Sequence, residues 1–475
     1  MTRILFVLAL ALLVSAPSGA HADAQTHYDT LCASCHGAQR YGGEAPPLLP
    51  ETLGRKKDDA LAKTILEGRP NTQMPPFAAA LSPEDAAALV ALIRTPVTSI
   101  TWGAEQIAAS RKSLEPDGPP LPAKTNRPNL TLVVERGAGA IAVLDGDSMK
   151  ELDRFPVGRI HGGPKFDEEL RRIWAVTRDG TVSAYDLDAG GLRGTVKAAV
   201  NARNVAVNPD GSLVAVAAQL PEQIAVLDGA LNPRAVLPLE GQPSGVYQVP
   251  GEAKFILTLR DNPKLMLIDQ ATMEVEVREL PEPFEDFVFV PGRRQLLASS
   301  RGGGRILLYD LDAGTVLATL ETEALPHLFS ACFFERDGKL HSALNHIGVP
   351  KLTIVTVDDL AVQKEIALAG SGYFARTHPG TPWIWVDTNT EQIELVDKVT
   401  LTRRVTPITP DPGKKAMHVE FTEDGSRALV SVWDPVGAVV IYDGTTAEET
   451  GRMPYAMPIG KYNAHNKTPH FRERP

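Results

Sequence analysis

AVLD, residues 142–145, closes a short apolar run on an aspartate, and the same ending returns seven more times: AYD at 184–186, AVLD at 225–228, LID at 267–269, LYD at 308–310, TVD at 356–358, LVD at 395–397 and IYD at 441–443. The aspartates Asp145, Asp186, Asp228, Asp269, Asp310, Asp358, Asp397 and Asp443 follow one another at intervals of 41, 42, 41, 41, 48, 39 and 46 residues. A unit of that length, built from short strands and polar turns, is the signature of a propeller blade. Turn signals fall between the strands: RDG at 178–180, NPDG at 208–211, RDG at 336–338 and EDG at 423–425. Eight copies predict an all-β eight-bladed propeller over residues 129–475. A sandwich gives no reason for such regularity.

Before the repeats, residues 97–128 include LEPDGPPLPAKTNRP, rich in proline and without apolar periodicity, and are expected to be a linker. The chain opens on MTRILFVLALALLVSAPSGAHA, with basic Arg3, an apolar run from Ile4 to Val14 and small residues around His21, which reads as an export signal over 1–22. That run is too short to span a bilayer and nothing later replaces it, so no membrane span and an exported, periplasmic protein are expected. The net charge of −10, with no basic run, speaks against nucleic acid or an anionic lipid surface as partner.

Residues 23–96 are expected to be a small all-α cytochrome c domain. CASCH at 32–36 places Cys32 and Cys35 at the spacing that lets two thiols add to the vinyl groups of one heme c, with His36 beneath the iron. Met74, in the loop NTQMPPF, is the expected sixth ligand, a thioether that raises the potential. DDALAKTILEG and SPEDAAALVALIRT read as flanking helices, the second capped by Ser82 with Pro83 in its first turn. Cys332 stands alone and is expected to be a buried apolar thiol.

In the repeat region, His161, His327, His346, His378 and His418 lie outside strand centres, where a lone histidine is more often a hydrogen-bonded structural residue than a ligand. Arg159, Arg178, Arg203, Arg260, Arg301 and Arg376 recur at comparable places. On a propeller, equivalent positions of different blades face the axis. Guanidinium groups gathered there suit a ligand with several carboxylates, such as a porphyrin-type macrocycle.

At these residues the chain resembles a known family. GRIHGGPKF, WAVTRDG, NARNV, LPHLFSACF and FARTHPGTPWIWVD are similar to segments of cytochrome cd1 nitrite reductase. GSGYFARTHPGTPWIWVDTNTEQIELVDKVTL, KAMHVEFTEDGSRALVSVWD and GKYNAHNK look closer to NirF-like proteins of heme d1 biosynthesis. The resemblance covers almost the whole chain after the export signal. It implies a non-covalent heme d1 or dihydro-heme d1 in the propeller, and oxidation of one propionate of dihydro-heme d1 to an acrylate, with electrons passed to heme c. It implies His161 and His327 as axial ligands, with His378 on the distal side. Arg159, Arg178, Arg203 and Arg376 would hold carboxylates, His418 would be the base, and Tyr462 would orient the substrate carboxylate. A periplasmic electron acceptor, nitrite reductase and NirF are the partners it implies. Nitrite reduction and heme d1 carriage remain open at this stage as alternative activities.

Overall fold

The computed structural model describes residues 18–468, apart from 43–44, 55, 69–73, 98, 159, 161, 302–303 and 324–325. The expected export signal therefore lies largely outside the described residues. The chain divides into two compact units, with the boundary between Ile100 and Thr101.

The first unit is helical. Ser18–His27, Tyr28–Cys32 and Ala33–His36 follow one another without a break, so the CASCH motif sits at the end of a helical run. The helices Asp58–Glu67 and Pro83–Arg94 pack Leu61, Ile65, Leu89, Val90 and Ile93 against Tyr28. The second starts as expected. The Ser82 hydroxyl accepts the Asp85 N–H at 3.1 Å, and the Asp85 carboxylate accepts the Ser82 N–H at 2.9 Å, a reciprocal cap.

The second unit is the eight-bladed propeller. Among the described residues its eight antiparallel sheets comprise six of four strands, one of five and one of three. Each middle strand is sandwiched between neighbouring blades and buried on both faces, as in Ala140–Asp145 and Leu213–Leu220. This is why those runs are apolar throughout rather than alternating. The last strand, Pro458–Asn463, pairs with Leu130–Glu135 and completes the blade begun by the first strands of the unit, so the ring closes without a free sheet edge there. In the three-stranded blade, the isolated bridges Val396–Arg403 and Ile393–Ile408 stand where a fourth strand would run.

The recurring aspartates cap turns. Seven of the eight end the third strand of a blade and accept N–H groups from the turn that follows: Asp269 takes those of Ala271 and Thr272, each at 2.9 Å, and Asp443 those of Thr445 and Thr446 at 2.9 and 2.8 Å. The residue four positions on turns left-handed, as at Met273 (φ +63°) and Ala447 (φ +59°). The sixth copy departs from the sequence register. There the strand ends at Thr356, Leu360 takes the left-handed place (φ +53°), and Asp359 rather than Asp358 accepts the Ala361 N–H at 3.1 Å. Measured to Thr356, the irregular intervals of 48 and 39 become 46 and 41.

The expected linker is not a free tether. Within 97–128, the helix Ala104–Ser110 buries Ile107 in the propeller core beside Trp174, and the Trp102 indole donates to the Lys197 carbonyl at 2.8 Å. Lys112–Ser113 then adds a fifth strand to one blade. A helix of seven residues is too short to show a period, which is why the sequence concealed it. Cys332 is buried among apolar side chains, as expected. Among the described residues no helix is long and apolar enough to cross a membrane.

Candidate functional site

In the helical unit, His36 is buried and its Nδ1 lies 2.7 Å from the Pro46 carbonyl. A carbonyl only accepts, so Nδ1 carries the proton and the Nε2 lone pair is left for a metal. Burial also lowers the proton affinity of this ring, keeping it neutral. Cys32 and Cys35 are both free thiols. Gly68 ends the helix Asp58–Glu67 at φ +72°, ψ −163°, a region open only to glycine. A Cβ there would lie 2.7–2.8 Å from Pro76 N, the Met74 carbonyl O and Pro75 C, so this glycine lets the Met74 loop cross the helix end. Two thiols, a neutral imidazole with a free Nε2 and a half-buried thioether fit a covalently attached heme c.

In the propeller, residues from successive blades meet around His418. This histidine sits in the strand Ala416–Phe421 at a bulge, with a left-handed φ of +50°. Its ring packs against Phe374 at 4.7 Å and Tyr462 at 5.4 Å between centroids. Burial, and after it the positive charges of Lys461, Arg376 and Lys467, push its pKa well below the ordinary histidine range, so it is neutral at neutral pH. The Lys461 N–H points to His418 Nδ1 at 3.4 Å, a long contact that is weak. The fully buried Lys461 ammonium donates to the His418 carbonyl and, at 2.7 Å, to the Ser431 hydroxyl.

Tyr462 is held from several sides. The Lys467 ammonium lies 5.8 Å from its ring centroid, and a Cβ at Gly163 would stand 2.4 Å from its ring. Burial raises its hydroxyl to about 12, so it stays protonated and can donate. Glu420 is buried and paired with Lys467 at 2.8 Å. Burial alone would raise its pKa, but Lys467 and Arg376 outweigh that and bring it below the usual range.

His327 lies in the loop before the inner strand of its blade. Its Nδ1 is 3.0 Å from the Tyr373 carbonyl and 3.0 Å from the Ser330 hydroxyl, which itself donates to that carbonyl. Nδ1 is therefore the protonated nitrogen, and Nε2 the unprotonated one. Burial pulls its pKa down to about 4, with Arg376 and Arg203 adding to the effect. Arg376 donates to the Ser330 carbonyl at 3.0 Å, Arg203 to the Ser244 carbonyl at 3.0 Å, and Arg178 to Gln219 at 3.1 Å.

His327, Arg203, Arg376, His418 and Tyr462 are thus linked by contact or by charge. His378 is not part of that contact group. It follows the two-residue strand Ala375–Arg376 toward the far end of the blade, accepts the Gly380 N–H at 3.0 Å, and packs on Phe421 rather than on His327 or His418. His161 and Arg159 lie outside the described residues. His346 is buried with Nε2 2.8 Å from the Thr353 hydroxyl, a structural arrangement.

Sequence reasoning missed Asp387, Lys461, Glu420 and Phe374. Asp387 ends WIWVD and imitates the repeated strand endings, but that strand is the second of its blade and the carboxylate turns inward. No local pattern marks that difference.

A helical unit with heme c ligands, joined to an eight-bladed propeller whose inner strands gather histidine, tyrosine and arginine, defines a class. Residues 125–467 match the family described as Cytochrome D1 heme domain, and the chain belongs to it. Residues 19–93 match Cytochrome C oxidase, cbb3-type, subunit III. Within the class, the chain is 39% identical over 97% of its length, and 97% of the relative's, to the dihydro-heme d1 dehydrogenase of Pseudomonas aeruginosa. The solved structure of dihydro-heme d1 dehydrogenase NirN in complex with DHE aligns with a TM-score of 0.89 at 37% identity, over 94% of this chain and 99% of that one. Nitrite reductase of Stutzerimonas stutzeri is 21% identical over 72% of this chain and 71% of its own.

Proposed function

We propose that this protein is a periplasmic c-type cytochrome dehydrogenase that completes heme d1, oxidising a propionate of dihydro-heme d1 to an acrylate. The observation that carries this reading is the neutral His418 ring, packed on Tyr462 in a field of buried cations. Turning CH2–CH2 into CH=CH removes two protons and two electrons, so the site needs a proton acceptor and an electron outlet. His418 takes one of the two protons at Nε2, and the second leaves to solvent. Doing so requires a proton on Nδ1, which means giving up only the weak contact with Lys461. A carboxylate nearby would offset the surrounding cations and strengthen the base.

Tyr462, protonated at neutral pH, donates to the substrate carboxylate. Arg178, Arg203 and Arg376 hold the remaining carboxylates by charge-assisted hydrogen bonds, with Arg159 proposed beside them. His327, through Nε2, and His161 would hold the macrocycle iron. His378 is proposed to act from the far side of Phe421, on the position of the macrocycle rather than on its chemistry. Cys32, Cys35, His36 and Met74 would hold heme c, which when bound would supply one-electron transfer to a periplasmic acceptor. Nitrite reductase is the proposed recipient of the product, and NirF a proposed partner in its handover. The signal-like residues 1–22 support periplasmic placement.

Nitrite reduction is the weaker reading, because a His327 that ligates iron closes the site to the anion. The likeness to nitrite reductase is also lower in identity and coverage than that to the dehydrogenase. Pure carriage is separated by experiment. Loaded with dihydro-heme d1 and supplied with an electron acceptor, the protein converts the bound macrocycle, while His418→Ala binds it without conversion. Transfer to apo nitrite reductase with no conversion by the unaltered protein supports carriage alone, and full turnover by His418→Ala removes this residue from the mechanism.

A further inference from the structure

Asp387 is fully buried, and its two carboxylate oxygens receive three backbone N–H groups. Oδ1 accepts from Tyr373 at 2.7 Å and Phe374 at 3.2 Å, and Oδ2 accepts from His418 at 3.1 Å. The loop bearing Tyr373 closes onto this aspartate because residue 372 is glycine. A Cβ there would come within 1.7 Å of the Asp387 carbonyl O and 2.3 Å of its Oδ1.

Each of these bonds leads to a candidate site histidine. Tyr373 gives its N–H to Asp387, and its carbonyl, in the same peptide group as the Phe374 N–H that Asp387 also accepts, takes the His327 Nδ1 proton. Phe374, tied by its own N–H, places its ring edge-on to His327 at 5.6 Å and against His418 at 4.7 Å. The His418 N–H bond fastens the left-handed bulge that turns this side chain out of the strand. Asn345 adds a further tie, since its side chain donates to the Asp387 carbonyl at 3.2 Å while its own carbonyl accepts the His327 N–H at 3.0 Å.

We infer that Asp387 is a positioning residue that fixes the aim of His327 and the placement of His418 toward a bound d-type heme, through the Tyr373 peptide and the His418 bulge. This rests on the proposed roles of those two histidines. A carboxylate suits the task and an amide does not. Three donors need acceptors on both branches, and the NH2 of an asparagine would face one of them. Outer residues that orient a metal-binding histidine typically matter by about 10- to 100-fold in affinity or activity.

The test uses Asp387→Asn in the full chain with heme c attached, and heme d1 itself as the probe. The expected result is a changed absorption spectrum of bound heme d1 and a roughly tenfold or greater loss of kcat. The heme c spectrum stays that of the parent, and the propeller still unfolds in a single transition by tryptophan fluorescence, at a denaturant concentration lowered by the one buried donor left without an acceptor. Asp387→Ser, which keeps one acceptor, serves if the asparagine variant does not accumulate. A bound heme d1 spectrum identical to the parent's in a folded variant overturns the inference, as does a spectral change that only tracks the unfolded fraction. The spectral reading requires no turnover, so a failure of His418 as base, seen as full activity in His418→Ala, remains a separate result.

Discussion

Replacing Gly68 by alanine tests how the helical unit presents Met74. The backbone there, at φ +72° and ψ −163°, is essentially closed to other residues and costs a side chain about 1–3 kcal/mol. The new methyl would also meet Pro76 N at 2.7 Å, and the Met74 carbonyl O and Pro75 C each at 2.8 Å. All three are backbone atoms that cannot swing aside, and overpacking of this kind costs about 1–3 kcal/mol more. Together these give a loss of about 2–6 kcal/mol, a large share of the stability of about 5–15 kcal/mol that a domain has. The loop relieves the clash by moving away from the helix end and carries Met74 with it.

Urea unfolding followed in the heme c Soret band should therefore shift to lower denaturant, and the heme c potential should fall as the thioether is lost. An internal reference exists. All five tryptophans, Trp102, Trp174, Trp383, Trp385 and Trp433, belong to the propeller unit, so tryptophan fluorescence should report an unchanged transition there. If Gly68→Ala unfolds at the parent's denaturant concentration with the parent's potential, the loop does not cross residue 68 in the way described.

Two further outcomes follow from buried charge. Lys461→Met leaves the His418 carbonyl and the Ser431 hydroxyl without this donor at a fully buried place, so the propeller should lose about 1–3 kcal/mol by fluorescence-monitored urea unfolding. An unaltered midpoint would mean that the ammonium is not paired there. For His327, burial depresses the folded pKa to about 4 against about 6.5 in the unfolded chain. Below pH 6.5 the unfolded chain takes up a proton that the folded one refuses, so stability falls as pH drops from about 6.5 toward about 4. Between pH 7 and 5 this amounts to about 2 kcal/mol in the heme d1-free protein. His327→Gln should remove that part of the acid sensitivity, and equal pH dependence in the two proteins contradicts the burial of this ring.

What the chain states locally, it states well. Covalent chemistry fixes the meaning of CASCH, because two thiols and an imidazole at that spacing need no tertiary context to be recognised. The capping pattern around Ser82 is as local, since its donors and acceptors lie within one turn of helix. The blade count was legible because each blade reuses one turn, and a turn cap must come from residues a few positions away. Even there the sixth blade moved the cap to Asp359 and displaced the apparent repeat by two residues, a shift that only strand pairing exposes. The segment 97–128 likewise hid a helix whose sole buried anchor, Ile107, becomes meaningful only against Trp174.

The site belongs to tertiary structure. Sequence nominated His327, His418 and Tyr462 by resemblance, but it could not say that His327 carries its proton on Nδ1, that His378 packs on Phe421, or that one carboxylate at Asp387 ties two histidines together. Hydrogen-bond direction and burial arise from residues 14 to 46 positions apart, as in Tyr373 with Asp387 and His327 with Tyr373. Ring closure makes those distances short. Local sequence determines which turns and attachment chemistry the chain can form, whereas the environment that sets proton location and charge exists only once eight blades share an axis.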